Sequence, residues 1–199
     1  MTDFNFDFNK AVVETFESKY LTPGNHSVKV SEVKSGVSSL KQSPYIEITV
    51  QDQKGLTCSQ QFYLTTTAGP SGKSAMDITS ANLVILVAAA IVADVTTEDG
   101  KNAAKAKIGN VTSIDALVKQ ITTLTVGKNI AIHLNGKIIN PTDTTKKDWI
   151  KAEFATGVFA VPVASIGKLK ADVKIKGEYS TPNTNGASAV SAPTSTTTW

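Results

Sequence analysis

YIEITVQDQKGLTCSQQFYLT, residues 45–65, alternates between apolar and polar residues on both sides of a glycine-bearing turn. Ile46, Ile48 and Val50 fall on one face of the first run, with Tyr45, Glu47 and Thr49 on the other. In the second run Leu56, Cys58, Phe62 and Leu64 share a face, opposite Thr57, Ser59, Gln61 and Tyr63. Successive side chains of a strand point to opposite faces, so this pattern predicts two half-buried antiparallel strands. Gln51-Asp52-Gln53-Lys54-Gly55 joins them as a hairpin loop.

Upstream, Thr22-Pro23-Gly24-Asn25 reads as a turn. Ser27 to Lys34 then reads as a strand that buries Val28 and Val30. Residues 1–22 read as an N-terminal arm, with Phe4, Phe6 and Phe8 alternating before a short helix from Ala11 to Tyr20. Those rings are expected to pack on the core or on a neighbouring subunit. Downstream, Thr66 to Ser74 is a Gly/Pro/Ser loop and Ala75 to Ala93 a buried helix. Asp94 to Asn110 reads as a polar, lysine-bearing, mobile segment, and Ser113 as the cap of a helix over Ile114 to Leu124.

Two more strands follow. Asn129 to Ile139 is expected to bury Ile130, Ile132 and Leu134, and Trp149 to Thr156 to bury Ile150, Ala152 and Phe154. Gly157 to Val163 extends the last of these, and Lys168 to Lys176 is a further strand candidate. From Ser180 onward the chain lacks charged side chains and reads as a disordered tail over 180–199. Three strands, a helical insertion and two strands is the order of an OB-fold. The expectation is therefore a β-rich domain over 23–179, built as a five-stranded OB-fold-like barrel. Its long insertion, at about residues 66–126, must carry structure of its own.

Composition narrows the function. The net charge is +3 and the sequence pI about 8.9, compatible with a polyanionic partner. All 20 basic residues are lysine. Without arginine the chain is poorly equipped to read guanine edges of duplex DNA, but lysines neutralise a phosphate backbone as mobile point charges. An AT-rich genome explains the bias, and the consequence for recognition holds regardless. Cys58 is the only cysteine, so no internal disulfide forms, and Met1 to Phe8 is no signal peptide. The longest apolar run, Leu83 to Ala93, is too short to span a bilayer. A cytoplasmic location without membrane contact is expected.

The outward strand faces hold the candidate chemistry. Tyr45 and Tyr63 lie opposite the apolar set, Trp149 alternates with Ile150, and His133 and Lys137 are expected outward on the strand before it. Lys34, Lys41 and Lys54 flank the first two hairpins, while Lys146, Lys147 and Lys151 surround Trp149. Aromatic platforms among lysines suit single strands, because bases stack on the rings while ammonium groups follow the phosphates. The plain alternative is that the rings cover barrel ends and the lysines form a solvated surface. Gly69-Pro70-Ser71-Gly72-Lys73-Ser74 is similar to a phosphate-binding loop, but Thr67 stands where that pattern needs its first glycine. Two histidines and one cysteine offer no metal-ligand spacing, and no catalytic constellation stands out. Neither an enzyme nor a bound cofactor is expected.

The stretch from Leu21-Thr22-Pro23-Gly24 to Leu64 resembles the opening of bacteriophage OB-fold single-stranded DNA-binding proteins. The matching segments are PGNHSVKVSEVKSG, SPYIEITVQD and GLTCSQQFYLT, and KDWIKAEFA is similar to the family's last barrel strand. The resemblance implies sequence-independent coating of single strands during replication, recombination or repair, without a cofactor and often as an oligomer. By position it implies Tyr45, Tyr63, Trp149 and the nearby lysines as DNA contacts. Two features depart from the family: the long insertion, and a tail that ends Thr196-Thr197-Thr198-Trp199 without acids. Trp199 is left as a terminal aromatic for a replication or recombination partner's pocket. The rival expectation is a viral structural protein, a capsid decoration or tail component, which would not bind oligonucleotides.

Overall fold

The computed structural model describes residues 18–141 and 148–177. Most of the expected arm and all of the expected 180–199 tail lie outside the described residues. The chain forms β1 (Gly24–Val37), β2 (Pro44–Gln51) and β3 (Thr57–Tyr63), then helices α1 (Ala75–Ala90), α2 (Glu98–Ile108) and α3 (Ile114–Thr125). Strands β4 (Asn129–Ile139), β5 (Trp149–Phe154), β6 (Ala160–Pro162) and β7 (Ile175–Lys176) complete it. The first strand starts inside the expected turn, since Gly24 and Asn25 already pair with Leu134 and His133.

The main sheet runs β3-β2-β1-β4-β5. It is antiparallel throughout except where β7 adds in parallel to β4. β1 serves two neighbours in succession, pairing with β4 through Gly24–Lys29 and with β2 from Lys29 onward. A bulge between Val30 and Glu32 lets it bend from one to the other. The bend brings Val30, Ile46, Ile48, Val50, Ile130, Ile132 and Leu134 into one core from which water is excluded. Phe62, Phe154 and Phe159 close that core, with ring centroids 5.9 Å apart for Phe62–Phe154 and 5.2 Å for Phe154–Phe159.

The expected closed barrel is not what the hydrogen bonds describe. β3 pairs with β2 and β5 with β4, and the ladder stops at both. At the Thr57 end the edge of β3 is already taken. Leu21 N–H donates to the Thr57 carbonyl (2.9 Å) and Thr57 N–H to the Lys19 carbonyl (3.0 Å). Residues 19–21 thus occupy both backbone groups of Thr57, the first residue of β3. Across the seam the contact is packing rather than pairing: Cys58 Sγ lies 3.5 Å from the Ala152 carbonyl, which it can donate to, and Phe62 meets Phe154.

The insertion carries its own structure, as its length required. Ser74 caps α1 reciprocally with Asp77, and Leu83, Leu86, Val87 and Ala88–Ala90 bury its second half. The segment expected to be a mobile polar stretch is instead helical: Thr97 caps α2, and Gly100 and Ala104 are its buried face. Small residues four apart replace the large apolar stripe that normally marks a packed helix. Ser113 caps α3 as its position suggested, and Gln120 of α3 donates to the Lys107 carbonyl at the end of α2.

The end of the described chain departs most from expectation. β6 pairs with β4 on the edge that β5 leaves, opposite Ile130–Ile132. A 3-10 turn over Val163–Lys168 follows, and only Ile175–Lys176 of the expected last strand pairs. In between, the chain runs over β4 as a strap. Asn25 Nδ2 donates to the Lys170 carbonyl (3.0 Å), and Lys174 N–H donates to Asn135 Oδ1 (3.1 Å). A Lys168–Asp94 ion pair at 2.8 Å ties this strap to the insertion. β4 is therefore paired along both edges, and Ile130 to Gly136 are buried on both faces. His133, expected outward, is only 2% exposed, with Nδ1 2.6 Å from Asn25 Oδ1. Conversely Ile150, expected in the core, is 40% exposed, because the β4–β5 hairpin runs past the packed centre. No helix among the described residues is long and apolar enough to cross a membrane.

Candidate nucleic-acid interface

The outer face of β1, β2 and β3 places Tyr45 directly opposite Tyr63. Their rings meet edge to face, with centroids 6.0 Å apart and planes at 68°. Tyr45 lies over Gly36 of β1, where a Cβ would come within 2.5 Å of its ring. Tyr63 stands out further and donates its hydroxyl to Gln61 Oε1 (3.2 Å). Gln61 in turn donates to Glu47 Oε2 (3.0 Å), and Lys34 bridges Glu47 and Glu32 at 3.0 and 3.1 Å. Partial burial pushes the Glu47 carboxyl up, but the Gln61 amide and Lys34 ammonium hold it below its ordinary value on balance. Glu47 and then Glu32 raise the Lys34 ammonium, so its charge persists and is already balanced by two acids. This face is less basic than its lysine count suggested.

Trp149 stands at the other end of β3. Six steps of extended strand separate Thr57 from Tyr63, roughly 20 Å. The seam between β3 and β5 opens at the Thr57 end into a cleft of about 650 Å³. Thr57–Ser59 form one wall, Trp149–Ala152 the other, and Ser18 and Tyr20–Thr22 the end. Trp149 is 49% exposed and Tyr20 71% exposed on its rim, with Lys151 beside them. Cys58 sits at its base, where burial pushes the thiol up to about 11 and leaves it an inert apolar group at neutral pH. At the Tyr63 end the same seam opens again into about 320 Å³, bordered by Gln60, Asn82, Glu153 and Lys176.

Tyr20 stands on this rim although its sequence context predicts the end of the helical arm. The signal for it was the strand-like alternation of exposed Tyr20 with buried Leu21 just before the Pro-Gly pair. Lys41 and Lys54 are exposed in loops at opposite ends of β2, so Lys41 accompanies the tyrosine pair and Lys54 the Trp149 end. Lys137 and Lys151 are exposed and directly opposite each other on β4 and β5. His133 lies beneath the strap, away from these groups. Lys146, Lys147 and Trp199 lie outside the described residues.

The loop similar to a phosphate cradle is otherwise employed. Gly69 N–H donates to the Lys73 carbonyl and Gly72 N–H to the Gly69 carbonyl, both at 2.9 Å, forming a tight turn. Asp77 Oδ2 accepts from Ser74 N–H (2.8 Å) and Ser74 Oγ (2.7 Å). These hydrogen bonds, Ser74 Oγ first, hold the Asp77 carboxyl below the usual carboxylate range. A carboxylate thus occupies the helix N-terminus where a phosphate would approach. Among the described residues no group of three or more His, Cys, Asp or Glu side chains is placed to hold a metal ion. Comparison of the chain with protein-family models and with curated proteins finds no match.

Proposed function

We propose that this protein binds single-stranded DNA without sequence preference, as a coating protein in bacteriophage replication, recombination or repair. The observation that carries the proposal is the open seam between β3 and β5, rimmed by the half-exposed Trp149 and the exposed Tyr20 with Lys151 alongside. Large aromatic side chains held out on a strand edge stabilise little in the free protein, whereas unpaired bases stack on them. A duplex offers its bases to neither ring. Lysine in place of arginine fits phosphate neutralisation without base reading.

The fold supports the same conclusion. The strand order β3-β2-β1-β4-β5 is the order of an OB-fold barrel laid open at the β3–β5 seam. The segments that resemble bacteriophage single-strand-binding proteins form β1, β2, β3 and β5 of this sheet. A host-cell cytoplasmic setting, self-association and partner contacts through Trp199 belong to the same proposal.

The test is fluorescence anisotropy of labelled oligo-dT, titrated at several salt concentrations with duplex of equal length as competitor. The expected result is at least tenfold preference for the single strand. The affinity should fall linearly with log salt by about 0.7 per phosphate neutralised. Absence of binding at low salt, or preference for duplex, would overturn the proposal.

A further inference from the structure

We propose that Lys151, Lys137 and Lys176 form one row of phosphate contacts that carries a single strand across β5, β4 and β7, beyond the aromatic cleft. This rests on the single-strand reading above and adds a path and a residue to it. Lys137 pairs in register with Lys151 on one side and with Lys176 on the other. Residues directly opposite on adjacent strands project to the same face, so the three lysines stand in line on one face, with the Lys151 charge also felt by Glu47. With strands about 4.8 Å apart, the row spans roughly 10 Å. All three residues are exposed, and among the described residues none of them forms an ion pair.

Like charges directly opposite destabilise a sheet. Here the third charge is brought in by construction. β7 is only two residues long and lies outside the five-strand unit. Gly136 N–H donates to the Lys174 carbonyl (2.9 Å), and Lys174 N–H donates to Asn135 Oδ1 (3.1 Å), so both backbone groups of Lys174 are fixed. Ile175 then seats over Gly136 so closely that a Cβ there would come within 2.5 Å of its Cδ1. These contacts place Lys176 beside Lys137 and repeat the repulsion instead of avoiding it. A run of phosphates converts that repulsion into attraction. The row begins next to the stacking site, because Trp149 and Lys151 are two apart on one strand and share a face. Bases turned toward Trp149 and Tyr20 leave their backbone to follow the lysines.

The test uses the full chain with K137Q/K151Q/K176Q, K176Q alone, and K101Q/K105Q/K107Q on α2 as a control. Each is titrated with oligo-dT across a salt series. The row variant is expected to lose about 2 from the slope of log affinity against log salt, three contacts at about 0.7 each. K176Q alone is expected to lose about 0.7, and the α2 control nothing. The thermal midpoint of the row variant without DNA should not fall, since repulsion has been removed. If wild-type protein binds but the row variant keeps its slope, the row is wrong and the single-strand reading survives. If wild-type protein does not bind oligo-dT at low salt, both are overturned.

Discussion

Replacing Tyr20 and Trp149 together by alanine weakens oligo-dT binding by at least tenfold and on the order of a hundredfold or more. Base–aromatic stacking contributes about 1–3 kcal/mol per base by alanine substitution, and about 1.4 kcal/mol is a tenfold change in affinity. Two platforms acting independently would give roughly 2–6 kcal/mol. Folding is expected to be nearly untouched, since Tyr20 is 71% and Trp149 49% exposed. Tyr45→Ala is the informative contrast. Its ring lies over Gly36 and against Tyr63, so its removal costs packing as well as any contact with a base. Anisotropy and thermal denaturation on the same samples separate the two effects. Unchanged affinity in the Tyr20/Trp149 variant would remove the cleft from the account.

Gly100→Ala destabilises the protein although helix propensity favours it. In an open helix interior alanine is better than glycine by about 1 kcal/mol. Here a Cβ would sit 1.9 Å from the Asp94 carbonyl oxygen and 2.6 Å from its carbon. Both are backbone atoms, and the turn they belong to is fixed several ways. Thr96 N–H and Oγ1 donate to Asp94 Oδ1 at 3.0 and 2.7 Å, and Thr97 Oγ1 to the Asp94 carbonyl at 3.0 Å. Lys168 holds the same carboxylate from the strap. Forced overpacking of this kind costs about 1–3 kcal/mol, occasionally more, and it opposes the propensity gain. The midpoint should fall by several degrees, at roughly 2–4 °C per kcal/mol for a chain of this size. A raised midpoint would show that α2 is not packed on this turn.

The Asp94 tie also has a pH window. Lys168 first, then Thr96, hold its carboxyl far below the usual range. A lowered folded-state value means the tie is fully present above about pH 4 and is lost only as pH falls through the folded value. The Gly100 comparison therefore belongs near neutral pH.

Strand periodicity made the first three strands legible, because a half-buried strand writes its burial into alternate residues. Ile46, Ile48, Val50, Cys58, Phe62 and Leu64 are all buried where that alternation put them. One cap was legible from its local sequence, Ser113 of α3, whereas Ser74 and Thr97 were not. What escaped were features set by distant chain. His133 alternates as an outward residue should, but distant chain buries it: its Nδ1 meets Asn25, which bonds the Lys170 carbonyl 145 residues further on, and its N–H donates to the Phe159 carbonyl. Barrel closure depends on whether β5 or residues 19–21 reach the edge of β3, which no pattern within either strand records. α2 looks like a mobile polar segment in sequence because its packed face is Gly100 and Ala104, too small to register as an apolar stripe. Of the candidate site, Tyr45 facing Tyr63 and Lys137 facing Lys151 follow from alternation plus register. Tyr20 and Lys176 depend on edge pairings that only the folded chain reveals.

The most direct measurement is the fluorescence of Trp149 during an oligo-dT titration. The chain has two tryptophans, Trp149 and Trp199, so a Trp199→Phe background isolates the first. Stacking of a base on the Trp149 ring predicts quenching that saturates with the anisotropy signal and reverses as salt is raised. Emission that stays constant through saturating oligo-dT would contradict the placement of the bound strand at the β3–β5 seam.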